Sequence, residues 1–139
     1  MRYLIALLAL AGVVVSALAL QVHYSTGVQP CSINEKWDCG VVNHSPFAEI
    51  DHIPVAALGI AGYLALAGLA LARKRFFAFL LTGAAFCFAL RLTFIEQFAL
   101  GAWCVYCVIS QALVALLLLL SLGWFTAEYL ALKRASRAA

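Results

Sequence analysis

The sequence predicts an all-α integral membrane protein: a four-transmembrane-helix bundle with a long extracytoplasmic loop that contains a short interfacial helix. Three observations predict it. Hydrophobic residues make up 66% of the 139 and charged residues only 11%, whereas soluble domains run about 45–50% apolar and about 25% charged. Uncharged runs reach the length of about 20 residues that a helix needs to cross about 30 Å of hydrocarbon. The basic residues gather where a lipid boundary would place them, rather than on a nucleic-acid face, despite the net charge of +3. The same composition excludes a disordered or collagen-like chain. Helices are expected because lipid offers no partners to unpaired backbone groups.

The spans are expected at about 3–22, 54–72, 76–98 and 103–125, all within a single membrane domain, 1–139. Residues 3–22 and 53–72 are uncharged. The third span stays apolar to Leu90 and carries Arg91 and Glu96 near its far end. Residues 97–127 are uncharged but too long for one straight crossing, so a turn is expected at 99–102. Arg2, Arg73, Lys74, Arg75, Lys133, Arg134 and Arg137 then fall on one side, whereas Glu35, Asp38, Glu49 and Asp51 oppose Lys36 alone on the other. The positive-inside rule makes both termini cytoplasmic, the tail at 128–139 included, and turns the loop at about 24–53 outward from a cell inner (cytoplasmic) membrane. A cleaved signal peptide is the rival for the first span, since Met1-Arg2, an apolar run and Ala17-Leu18-Ala19 imitate one; its apolar run of about 18 residues exceeds the usual 7–15. Within the loop, Ser45-Pro46 reads as the N-cap and first residue of a short helix over 46–51 along the membrane surface, and Pro54 suits the first turn of the second span.

The cysteines carry the chemistry. Cys31 and Cys39 lie in the outer loop, Cys104 and Cys107 form a C-x-x-C at the outer end of the fourth span, and Cys87 reads as a core residue of the third. Two pairs therefore face the compartment where disulfides persist. With the helix starting near Trp103, Cys104 sits in its first turn. A helix N-terminus there favours the thiolate that attacks disulfides. One pair on a flexible, water-facing loop and one at the lipid edge, where a hydrophobic electron carrier can reach Cys107, form an electron relay. Two other readings of the same cysteines are structural staples and a four-cysteine zinc site; the relay needs no metal.

The strings Cys31-Ser-Ile-Asn-Glu-Lys-Trp-Asp-Cys39, Val41-Val42-Asn43-His44-Ser45-Pro46-Phe47-Ala48, Ile53-Pro54-Val55-Ala56-Ala57-Leu58-Gly59 and Ala102-Trp103-Cys104-Val105-Tyr106-Cys107 resemble the vitamin K epoxide reductase family, in its bacterial branch of quinone-linked disulfide-forming enzymes. The resemblance implies a quinone-dependent disulfide oxidoreductase whose four-helix bundle surrounds a membrane quinone (ubiquinone, menaquinone or related). It implies that Cys107 faces the quinone, that Cys104 exchanges with Cys39, and that Cys31 takes electrons from outside. Ser45 matches the family's serine near the active site. The candidate quinone contacts are Phe47, Leu58, Tyr106 and Gln111. The chain departs from animal members, which carry a tyrosine at the position of Gln111 and an asparagine early in the second core helix, so epoxide reduction is not implied. Some bacterial members continue into a thioredoxin-like domain; here the expected partner is a separate thioredoxin-like protein of the DsbA type.

Arg91 and Glu96 read as anchors within reach of the headgroups, with Glu96 a possible proton donor. His23, His44 and His52 read as solvated loop histidines, with a proton relay as the alternative, and Phe94, Phe98, Trp103 and Tyr106 as an interface belt, with a quinone pocket as the alternative. The expected activity is oxidation of the partner's thiols through Cys31/Cys39 and Cys104/Cys107, with two electrons passed to quinone. The alternatives are a non-catalytic, disulfide-stapled membrane subunit, and the same relay with quinone or quinone-epoxide reduction as its physiological direction.

Overall fold

The computed structural model describes all residues, Met1–Ala139. Four long helices follow one another: α1 (Arg2–Tyr24), α3 (Val55–Leu71), α4 (Arg75–Ile95) and α5 (Val105–Ala138), with a one-turn helix α2 (Cys39–Asn43) in the loop after α1. Three are long and apolar enough to cross a membrane: Arg2–Tyr24, Val105–Ala138, and α4 with the π-turn that prolongs it to Leu100. The apolar α3 has 17 residues, about 25 Å of rise. Successive helices reverse direction. Arg75 pairs with Glu128 at one end of the bundle, and Trp37 bridges to Trp103 at the other.

Small residues let α1 and α3 approach closely. Ala9, Gly12, Ser16 and Ala19 follow one another at helical spacing and face inward. The Tyr63 ring occupies the place where Gly12 would carry a Cβ, and a Cβ on Gly59 would meet Ser16 Oγ at 2.8 Å. Such small-residue seams replace the hydrophobic driving force that lipid removes. Around this seam Ile5, Tyr63, Leu66, Leu117 and Trp124 close one core. The large apolar side chains of the outer faces, such as Leu7, Phe77 and Leu119, stay exposed, which suits a surface bathed in hydrocarbon.

The structure differs from the sequence reading in several places. Instead of a helix over 46–51 there is a 3₁₀ turn at Pro46–Ala48, followed by a hairpin of β1 (Glu49–Ile50) and β2 (Ile53–Pro54) that pairs Glu49 with Pro54 and Ile50 with Ile53. Asp51 and His52 make its tight turn with φ of 49° and 65°, the left-handed pair a two-residue hairpin requires. Ser45 does not cap the turn, because its hydroxyl donates to Val42 O at 2.7 Å. The expected turn at 99–102 shifts: the π-turn Glu96–Leu100 runs into Gly101, whose left-handed φ of 64° ends the helix. Helix α5 begins at Val105, so Cys104 is its N-cap rather than a first-turn residue. It continues to Ala138 through the expected tail. Residues 128–138 are mostly good helix formers, and Glu128 is tied to Arg75 and to Trp124 Nε1. Cys87 is exposed on α4 and is not a core residue.

Candidate functional site

Backbone geometry brings the two cysteine pairs together. Trp103 N–H donates to Lys36 O at 2.7 Å and Asp38 N–H donates to Trp103 O at 3.0 Å. These bonds form a short parallel bridge that carries the loop onto the segment before α5. Cys39 lies two residues beyond one side of the bridge and Cys104 one residue beyond the other. Both are fully buried, in a cluster with Cys31, Val22, Val42 and Ala102. Cys31 and Cys39 are joined as a disulfide with Cα atoms 5.8 Å apart, whereas Cys104 and Cys107 are free thiols. The loop pair is thus not the flexible, water-facing element read from sequence: Cys31 is 7% exposed and Cys39 0%.

Asp38 starts the helix that holds Cys39. Its carboxylate accepts from the N–H groups of Gly40 at 2.8 Å and Val41 at 3.3 Å, an N-cap, and from the Ser32 hydroxyl at 2.7 Å. The Ser32 bond does most to hold the Asp38 carboxyl below its ordinary range; burial opposes it, and the backbone bonds from Val41 and Gly40 and the nearby His44 add to the lowering. One turn on, Asn43 is buried, and its amide Nδ2 donates both to Cys39 O at 2.9 Å and to Cys104 Sγ at 3.5 Å. Asn43 was only one letter of a matching string in the sequence. Its spacing of four from Cys39, once that segment is helical, is the signal that would have singled it out.

Glu96 lies deeper than an anchor would. It is 3% exposed, its Oε2 accepts from Cys104 N–H at 3.4 Å, and its side chain contacts Cys107, which in turn contacts Cys104. Arg91 stays exposed. His23 is not a solvated loop residue: its Nδ1 lies 2.6 Å from Asn43 O and its Nε2 3.1 Å from Glu49 Oε1. His44 and His52 are exposed. Phe94 and Phe98 face outward with ring centroids 4.4 Å apart, whereas Trp103 packs at 6.1 Å on Trp37.

Below the cysteines, a cavity of about 420 Å³ opens among the long helices, within the range usual for small-molecule sites. Cys107 and Glu96 line its upper wall, and Ser45, Phe47, Leu58, Tyr106 and Gln111 all border it. Phe47 and Leu58 are partly exposed at its rim. Most of the lining is apolar, and Gln111 Oε1 is buried there without a hydrogen-bond partner. An apolar slot with one unpaired amide oxygen fits a hydrophobic molecule that carries a hydrogen-bond donor such as a hydroxyl. No cluster of three or more side chains suited to hold a metal ion is present.

No curated relative matches the chain. Residues 3–122, most of its length, match the family profile described as Vitamin K epoxide reductase family. With that match over most of its length, the chain belongs to the vitamin K epoxide reductase family.

Proposed function

We propose that the protein is a quinone-dependent thiol–disulfide oxidoreductase that draws electrons from a thioredoxin-like partner. The family's members are oxidoreductases that use quinone-type electron carriers. The observation that carries the reading is the Asn43 amide, which touches Cys39 through its carbonyl and Cys104 through its sulfur. One side chain in contact with both pairs supports exchange between them. Partner thiols open Cys31–Cys39, Cys104 and Cys39 exchange through a mixed disulfide, and Cys107, on the cavity wall, is the thiol nearest the acceptor. Its electrons leave as the Cys104–Cys107 bond closes. A quinone bound in the cavity supplies a two-electron acceptor. Phe47, Leu58 and Tyr106 would hold its ring, with Ser45 at the upper wall. The Gln111 amide would meet an oxygen, donating to a carbonyl and accepting from a hydroxyl.

The proposed topology has four spans, α3 included, with both termini cytoplasmic and the cysteines outside. The clustering of Arg2, Arg73, Lys74, Arg75, Lys133, Arg134 and Arg137 at the opposite end supports it. Purified protein with a reduced dithiol partner should reduce a soluble quinone, and Cys107→Ala should bring the rate to background. Undiminished turnover in that variant refutes the mechanism. A stapled, non-catalytic subunit instead predicts cysteine redox states that ignore both quinone and partner when trapped in cells.

A further inference from the structure

His23 stands at the junction of water, cavity and thiols. Its Nδ1 is 2.6 Å from the carbonyl oxygen of Asn43, an atom that can only accept, so Nδ1 carries a hydrogen. In a neutral ring Nε2 is then bare, and an ionised carboxylate is bare too. The 3.1 Å contact between Nε2 and Glu49 Oε1 therefore contains one proton, held on either atom. The two partners see different surroundings. The His23 side chain is 10% exposed and lines the cavity, whereas that of Glu49, on the short β1 strand, is 43% exposed. The carbonyl that orients the ring belongs to Asn43, whose amide holds Cys104.

We propose that His23 is the proton donor on the cavity side and that Glu49 reloads it from water. The inference rests on the redox reading above. Closing the Cys104–Cys107 bond removes two electrons and two protons from the dithiol, and quinone reduction takes up two of each. The thiol protons are released. Protons from water enter through Glu49 to Nε2, which presents them to the cavity when the exposed carboxylate swings aside. Other ionisable groups around the ring are His44 at a centroid distance of 6.4 Å and Tyr24 at 5.1 Å. Across the cavity lie Glu96, Tyr63, Tyr106 and Cys107.

Two measurements test the inference, the first without quinone. In ¹⁵N-histidine-labelled protein in lipid nanodiscs, the His23 signals, assigned by their loss in His23→Gln, should show Nδ1 protonated throughout. In Glu49→Gln the Nε2 signal should move as its carboxylate partner is lost, while Nδ1 stays protonated. A bare Nδ1, or an Nε2 signal unmoved by Glu49→Gln, overturns the proposal. The second is a single turnover of prereduced protein with a soluble quinone. His23→Gln and Glu49→Gln should slow quinone reduction at least about tenfold, within the range of lost general-acid catalysis, and added imidazole should restore His23→Gln. Exposed His52→Gln should match wild type. Exchange between the loop pair and Cys104/Cys107, followed by thiol trapping, should be unchanged in all three. An active wild type with unslowed His23 and Glu49 variants defeats this inference alone; a wild type unable to reduce quinone defeats the redox reading and the inference together.

Discussion

In the proposed relay, Asn43 is the residue that touches both cysteine pairs and would assist exchange between them. Its amide donates to a sulfur that must become a leaving or attacking thiolate, and a donor lowers the cost of that charge. Asn43→Leu, of similar volume, should slow electron transfer from Cys39 to Cys104 about tenfold, equivalent to about 1.4 kcal/mol, and leave the cavity able to bind quinone. Quenched-flow thiol trapping reads that step directly, and an unchanged rate would show that proximity alone suffices. Asp38 acts on the same helix from the other end. Its folded carboxyl titrates below the ordinary value, so its contribution is complete above the unfolded pKa and is lost as pH falls through the folded one. Hydrogen-exchange protection of the Gly40 and Val41 amides should therefore survive through the ordinary carboxylate range and fail only in stronger acid. Asp38→Ala should weaken it at neutral pH by about 1 kcal/mol.

At the scale of elements, the α1–α3 seam is where size matters most. Gly12→Val would force its side chain into the Tyr63 ring and should cost about 1–3 kcal/mol of overpacking, read as a lower thermal midpoint in detergent. The Tyr63 hydroxyl also bonds Ser110 Oγ at 2.8 Å across to α5, so displacement of the ring should loosen the cavity wall as well. The long helices were legible because twenty-residue apolar runs have few other fates. The loop was not. Its hairpin turns on Asp51 and His52 rather than the Asn-Gly pair that advertises such a turn. Helix α2 is a single turn, too short for periodicity to reveal. Ser45-Pro46 offered a plausible cap, yet the Ser45 hydroxyl found the Val42 carbonyl instead.

For the molecule as a whole, the two ends differ in chemistry: cations at one, thiols and carboxylates at the other. Single-cysteine probes at Val28→Cys, where the native residue is 97% exposed, and at Ala139→Cys, in a background without the five native cysteines, should react with a membrane-impermeant reagent from opposite faces. Labelling of both from outside would overturn the proposed topology. The cysteine spacing made the Cys31–Cys39 pair readable from the sequence, and the C-x-x-C marked Cys104 and Cys107 as neighbours. The partners of Glu96 and His23 were not readable, because each contact joins residues from separate helices or loops. Glu96 illustrates the cause: an acidic residue near a span end suits a headgroup anchor equally well until the π-turn folds it inward onto Cys104 and Cys107.

The hydrogen bonds of the joint at Lys36–Asp38 and Trp103 are made by main-chain atoms, with a consequence for which changes the chain tolerates. Those main-chain bonds survive a change of side chain, because any amino acid other than proline supplies the same amide and carbonyl, although the Trp37–Trp103 ring contact and the Asp38 cap depend on the residues present. Length is less forgiving. Deleting one residue between Trp37 and Cys39, or inserting one before Cys104, would put the sulfurs out of step while sparing every apolar run, leaving a well-inserted but inert protein.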